Sequence, residues 1–84
     1  MTNRRFLLAT TWFLCLIANG IQAQHRQLQQ GDRYYDEGLF GKAEETYRAG
    51  STGTAFYNAG IAAYQQGKYV DAISLFKEAV AKST

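Results

Sequence analysis

The stretch Phe56-Tyr57-Asn58-Ala59-Gly60-Ile61-Ala62-Ala63-Tyr64-Gln65-Gln66-Gly67-Lys68-Tyr69-Val70-Asp71-Ala72-Ile73 decides the fold. Phe56, Ala59, Gly60 and Ala63 stand at i, i+3, i+4 and i+7, which puts them on one face of a helix. Gly67 interrupts that pattern, and glycine is costly inside a helix but favoured where φ must be positive. Beyond it, Tyr69, Ala72, Ile73, Phe76, Ala79 and Val80 resume helical spacing and predict a single buried face. The spacing therefore predicts a helix from about Thr54 to Gln66, a tight turn, and a second helix from about Lys68 to Lys82. Gly60 and Ala72 are small enough to let the two backbones approach, with Phe56, Tyr69 and Phe76 filling the space around the contact.

Sliding the chain against itself by 29 residues finds the pattern again. Gly31 falls on Gly60, Tyr35 on Tyr64, Gly38 on Gly67, Phe40 on Tyr69, Ala43 on Ala72 and Tyr47 on Phe76. Gly50-Ser51-Thr52-Gly53 separates the copies as a turn-rich stretch, in which Thr52 or the following Thr54 is placed to cap the next helix. An all-α chain of two antiparallel helix-turn-helix repeats is the expected architecture, with domains at 1–23, 24–52 and 53–84. Glu44 with Arg48, and Glu78 with Lys82, are i, i+4 pairs and read as solvated faces.

These residues resemble the tetratricopeptide repeat, an α-solenoid unit with the pattern W-x2-L-G-x2-Y, then A-x3-F. The second copy supplies Phe56-x2-Ala59-Gly60, Tyr64, Gly67, Tyr69 and Ala72-x3-Phe76; the first supplies Gly31-x2-Tyr34, Gly38, Phe40 and Ala43-x3-Tyr47. The resemblance assigns Gly31, Ala43, Tyr47, Phe56, Gly60, Tyr69, Ala72 and Phe76 to packing within and between repeats. It also implies a protein or peptide partner, held in a groove of helix A residues: Leu28, Asp32, Tyr35 and Asp36 in the first copy, Tyr57, Ile61, Tyr64 and Gln65 in the second. The first copy departs from the pattern at Gln27 and Gln30, which are polar where large apolar residues are expected. Such a polar outer copy suits a terminal, capping repeat. Fewer than three repeats are usually unstable alone, so the expectation is an incomplete solenoid or a self-associating chain.

The first segment reads differently. Arg4 and Arg5 precede Phe6 to Ala18, an uncharged run of thirteen residues, followed by Asn19-Gly20-Ile21-Gln22-Ala23. A basic start, a short apolar run and small residues make the layout of a secretory signal peptide cleaved after Ala23. The run falls short of the roughly 17 to 25 apolar residues of a membrane span. Cys15 follows Trp12-Phe13-Leu14, which are too bulky for a lipoprotein processing site, and it counts as one more apolar residue.

Charge and composition exclude several functions. The formal charge of +2 belongs to Arg4 and Arg5; residues 24–84 carry seven basic and seven acidic side chains, too balanced for a surface that tracks phosphates. One Cys and one His cannot complete a tetrahedral zinc site or a disulfide framework. His25 has no nucleophile near it in sequence, and the glycines are dispersed where a phosphate cradle would need them grouped. Asp32 and Asp36 lie one helical turn apart without the further oxygen ligands a hard cation needs. The sequence thus predicts no enzyme, no cofactor, no metal and no nucleic acid. The expected function is an exported adaptor or scaffold, periplasmic or secreted, that binds a protein in the cell envelope. The alternative is a membrane-tethered assembly subunit that keeps its N-terminal segment, the one case in which membrane contact is expected.

Overall fold

The computed structural model describes residues 23–83, and these fold as four helices without a strand. Helix α1 covers residues 23–36, α2 Phe40–Ala49, α3 Gly53–Gln65 and α4 Tyr69–Ser83. The expected leader, including Arg4, Arg5 and Cys15, lies outside the described residues except for Ala23, which is already helical. No helix among the described residues is long and apolar enough to cross a membrane.

Each helix packs on the next, and the 29-residue repeat seen in the sequence is a repeat of contacts. Gly38 and Gly67 adopt φ of 77° and 78°, a left-handed conformation that a side chain would strain. At the first turn the N–H of Gly38 donates to the Tyr35 carbonyl at 2.9 Å, and that of Leu39 to Tyr34 at 2.8 Å. At the second, Gly67 donates to Tyr64 at 2.9 Å and Lys68 to Ala63 at 3.0 Å. This paired closure satisfies the last carbonyls of α1 and α3 and turns the chain back on itself. Across both turns aromatic rings meet: Tyr35 on Phe40 with centroids 5.0 Å apart, Tyr64 on Tyr69 at 5.2 Å.

Between the repeats, α2 ends at Ala49, so the helix is cut short by Gly50 as its sequence implies. Ser51 takes φ of 55°, and the extended Thr52 accepts the Ala55 N–H on its hydroxyl at 3.1 Å. Because Thr52 rather than Thr54 is the cap, α3 starts at Gly53, one residue earlier than expected.

The core is built of small residues. Ala43, Ala59, Ala62, Ala63 and Ala72 are buried with Tyr47 and Leu75, and Leu28, Tyr34, Tyr35, Phe56 and Phe76 pack around them. Gly60 earns its place against a ring rather than against the Ala72 backbone, since a methyl built on it would run into Phe76. Gly31 stands in the same relation to Tyr47.

The expected buried face of α4 is overturned. The buried stripe of α4 is Ala72, Leu75 and Ala79, with Phe76 at its margin, while Tyr69, Ile73 and Val80 are exposed. Among the described residues α4 packs on α3, and one neighbour covers only part of a helix's circumference. The arc it covers is centred on Leu75, leaving Ile73 and Val80 beyond its edge.

Candidate partner-binding groove

The junction of the repeats opens a cleft of about 280 Å³, lined by Asp32 and Tyr35 of α1, Tyr47 of α2, and Asn58 and Ile61 of α3. Its floor is fixed by the Tyr47 hydroxyl, which donates to Asp32 Oδ1. Gly31 makes this possible by leaving room for the Tyr47 ring against α1. Burial pushes the Tyr47 phenol above the ordinary tyrosine range, and the hydrogen bond to Asp32 together with the negative charges of Asp32 and Asp36 adds to the shift. Tyr47 is therefore a neutral donor at any physiological pH.

The second repeat holds apolar residues at the matching positions, Ile61 for Asp32 and Phe76 for Tyr47. The wall from the first repeat therefore carries Asp32 and two phenols, and the wall from α3 an amide, Asn58, beside the aliphatic Ile61.

The walls are held in register by Glu44, which its i, i+4 pairing assigns to a solvated face but which the packing of α3 on α2 buries. This buried carboxylate accepts Arg48 Nη2 at 2.8 Å from its own helix and Gln66 Nε2 at 2.9 Å from the end of α3. Lys68 Nζ lies 3.6 Å away on the following turn. On the outer side of α1, Gln27 Nε2 donates to the Thr46 carbonyl of α2 at 3.1 Å.

Of the residues expected to form a groove, Asp32, Tyr35 and Ile61 meet in this cleft. Asp36 and Gln65 are exposed, and Leu28 is packed at the core margin. Tyr64 is 57% exposed and lies against Tyr69, so it stands at the turn. Tyr57 faces elsewhere: its ring is 5.6 Å from that of Phe76, and it lines a second cleft of about 510 Å³ with Gly53, Thr54, Phe76, Ala79, Val80 and Ser83. Tyr47 and Asn58 belong to the first cleft although neither was expected there. The signal for Tyr47 was present in its hydroxyl, which Phe76 lacks at the matching position, and in a carboxylate fifteen residues earlier. Asn58 is a polar residue one turn before Ile61 within the apolar middle of α3, which is the corresponding signal.

Phenol and amide groups beside an aliphatic wall can receive a side chain or a short segment of another protein through contact area and hydrogen bonds. Among the described residues no group of three or more His, Cys, Asp or Glu is placed to hold a metal.

The helix pair α3 and α4 has a known counterpart, since the tetratricopeptide repeat family model matches residues 53–83. Residues 53–83 are thus similar to a tetratricopeptide repeat. No curated protein and no solved structure matches the chain. Tetratricopeptide repeats are non-catalytic units that mediate protein–protein binding, and the turn between α1 and α2 closes as the turn of the matched repeat does. The molecule is in these terms a protein–protein interaction module.

Proposed function

We propose that the protein is an exported tetratricopeptide adaptor that binds a partner protein in the cell envelope, most simply in a bacterial periplasm. The observation that carries the binding site is the cleft between the two repeats. There Tyr35, Asn58 and Ile61 are offered on helices α1 and α3, and the Tyr47–Asp32 hydrogen bond holds the floor rigid. A preorganised cleft of this kind costs little to order on binding. Support for export comes from the Arg4-Arg5 start, the uncharged run Phe6 to Ala18 and the small residues before Gln24. The role is adaptor rather than enzyme, because the groove residues supply contact and hydrogen bonding and no paired nucleophile and base.

The experiment has two readouts. Mass analysis of the protein isolated from envelope extract is expected to find a chain starting at Gln24; a full-length chain in the cytosol would exclude export. Affinity capture from the same extract is expected to recover a partner with the natural chain and to lose it with Ile61→Ser. Partners retained by that variant, folded by circular dichroism, would remove the cleft from consideration. Recovery of the full-length chain in carbonate-washed membranes would favour the tethered assembly subunit.

A further inference from the structure

The hydrogen bond in the floor of the cleft between the repeats decides what the cleft can offer a ligand. Burial keeps the Tyr47 phenol protonated, and its one hydrogen goes to Asp32 Oδ1. Tyr47 is only 3% exposed, and no described residue donates to its hydroxyl oxygen. An ionised carboxylate only accepts, at two oxygens with about four lone-pair sites. Among the described residues Asp32 receives the Tyr47 hydrogen alone, which leaves Oδ2 open. The two floor groups therefore turn nothing but acceptors toward whatever enters.

Charge points the same way. Asp36 follows Asp32 by one turn on the same face of α1, and its negative charge, like that of Asp32, reaches the Tyr47 hydroxyl. No cation of the described residues lines the cleft. Arg48 and Lys68 lie on Glu44, Lys42 sits 5.8 Å from the centre of the Tyr34 ring, and Arg26 lines a separate hollow with Gln27 and Thr46. Arg33 shares the face of Arg26 and Gln30, at i, i+4 and i+7. The second repeat, with Ile61 and Phe76 at the matching places, has no such pair of acceptors.

We propose that the cleft receives an arginine side chain of the partner protein, its guanidinium on Asp32 and its aliphatic stem along Ile61. This rests on the adaptor reading and names the side chain which that reading leaves open. A guanidinium has five N–H donors in a fixed fork and no acceptor, enough to serve Asp32 Oδ2, the Tyr47 oxygen and the Asn58 side-chain carbonyl. It also sheds water more readily than the ammonium of lysine, whose single nitrogen offers three donors. The methylenes of the stem give Ile61 an apolar contact that a free small cation lacks. An acidic segment would meet Asp32 and Asp36, with only the Asn58 amide and the Tyr35 hydroxyl to donate to it.

The test titrates the isotope-labelled whole chain with an end-capped leucine-arginine-leucine peptide, its lysine and glutamate forms, and a citrulline form that keeps the shape of arginine without its charge. Amide resonances of Asn58 and Ile61 report binding. The arginine peptide is expected to bind about five-fold more tightly than the citrulline one, the upper end for an ion pair at an exposed carboxylate, with lysine between them. Asp32→Asn keeps an acceptor for Tyr47 and should leave helix content unchanged by circular dichroism. It should reduce the preference for arginine over citrulline to about two-fold or less, the remainder coming from Asp36. Equal affinity for arginine and citrulline, tighter binding of the lysine or glutamate form, a preference indifferent to Asp32→Asn, or shifts absent from the cleft would overturn the proposal. Capture from envelope extract separates that failure from failure of the adaptor reading. A partner lost with Ile61→Ser but kept by Asp32→Asn leaves the cleft a binding site and removes arginine from it, whereas a partner kept by Ile61→Ser removes the cleft itself.

Discussion

The ring of Phe76 lies over Gly60, so closely that a methyl group on the glycine would stand 2.5 Å from Cε1 of the ring. Alanine is ordinarily about 1 kcal/mol better than glycine within a helix. Here the overlap should dominate, and Gly60→Ala is expected to destabilise the fold by about 1 to 2 kcal/mol net. In a Phe76→Ala background the same substitution should turn stabilising, because only the helical preference remains. Gly41 in α2 supplies the contrast: its added methyl would meet nothing nearer than Gln66 Oε1 at 3.6 Å. Gly41→Ala should therefore raise stability by about 0.5 to 1 kcal/mol. Urea unfolding of the four variants reads all these signs.

Tyr47 and Asp32 predict how the fold responds to alkali. The folded phenol is held above the unperturbed tyrosine value of about 10, first by burial and then by Asp32. The folded state thus keeps a proton that the unfolded chain releases. Its contribution is complete below about pH 10 and is lost as pH climbs beyond that value. Melting temperatures taken from pH 8 to 11 should fall more steeply for the natural chain than for Tyr47→Phe. At neutral pH that variant should lose about 0.5 to 1.5 kcal/mol, one hydrogen bond's worth. Adding Asp32→Ile, which copies the Ile61 and Phe76 pair of the second repeat, should recover part of the loss.

The junction between repeats yields a pair of opposite effects one residue apart. Ser51 is held at φ of 55°, where glycine is at ease and serine is strained. Ser51→Gly is expected to stabilise by about 0.5 to 1 kcal/mol. Thr52 caps α3 through its hydroxyl, so Thr52→Ala should cost about 1 kcal/mol. Thermal unfolding of both single variants checks the signs.

The repeat and its turns were legible in the sequence because glycine with positive φ and small-to-large pairing leave marks at fixed offsets. Gly38 with Gly67, and Gly31 and Tyr47 with Gly60 and Phe76, carry the same geometry at the same spacing. The exposed stripe of α4 was illegible for a physical reason: helical period says which residues share a face, not how many neighbours cover it. Ile73 and Val80 satisfy the period of a buried helix and remain open beside a single partner. Of the eight residues expected to line a groove, three, Asp32, Tyr35 and Ile61, come together in one cleft, whereas Tyr57 turns its ring to Phe76 of α4. Tyr47 was concealed by its role in packing, since a residue that fills the core can still present its hydroxyl to a cleft.

Glu44 is the junction's only buried charge among the described residues, and it binds three groups from two elements. Arg48 and Lys68 are about half exposed and can return to water when Glu44 is removed. The cost of Glu44→Ala should thus fall well short of a fully buried ion pair, at about 1 to 2 kcal/mol. Most of that should come from Gln66, whose amide would lose its charged acceptor and keep only the carbonyls of Ala62 at 3.0 Å and of Phe40 in α2 at 3.3 Å. A double-mutant cycle between Glu44→Ala and Gln66→Ala is expected to give a coupling of about 1 kcal/mol. The coupling with Gln66 should persist at high salt, since its partner is neutral, while the coupling with Lys68 should fade over about 0.1 to 1 M. Cycles with both Gln66 and Lys68 that are additive within error would show that the carboxylate serves α2 alone, and that packing of the alanines holds the repeats together.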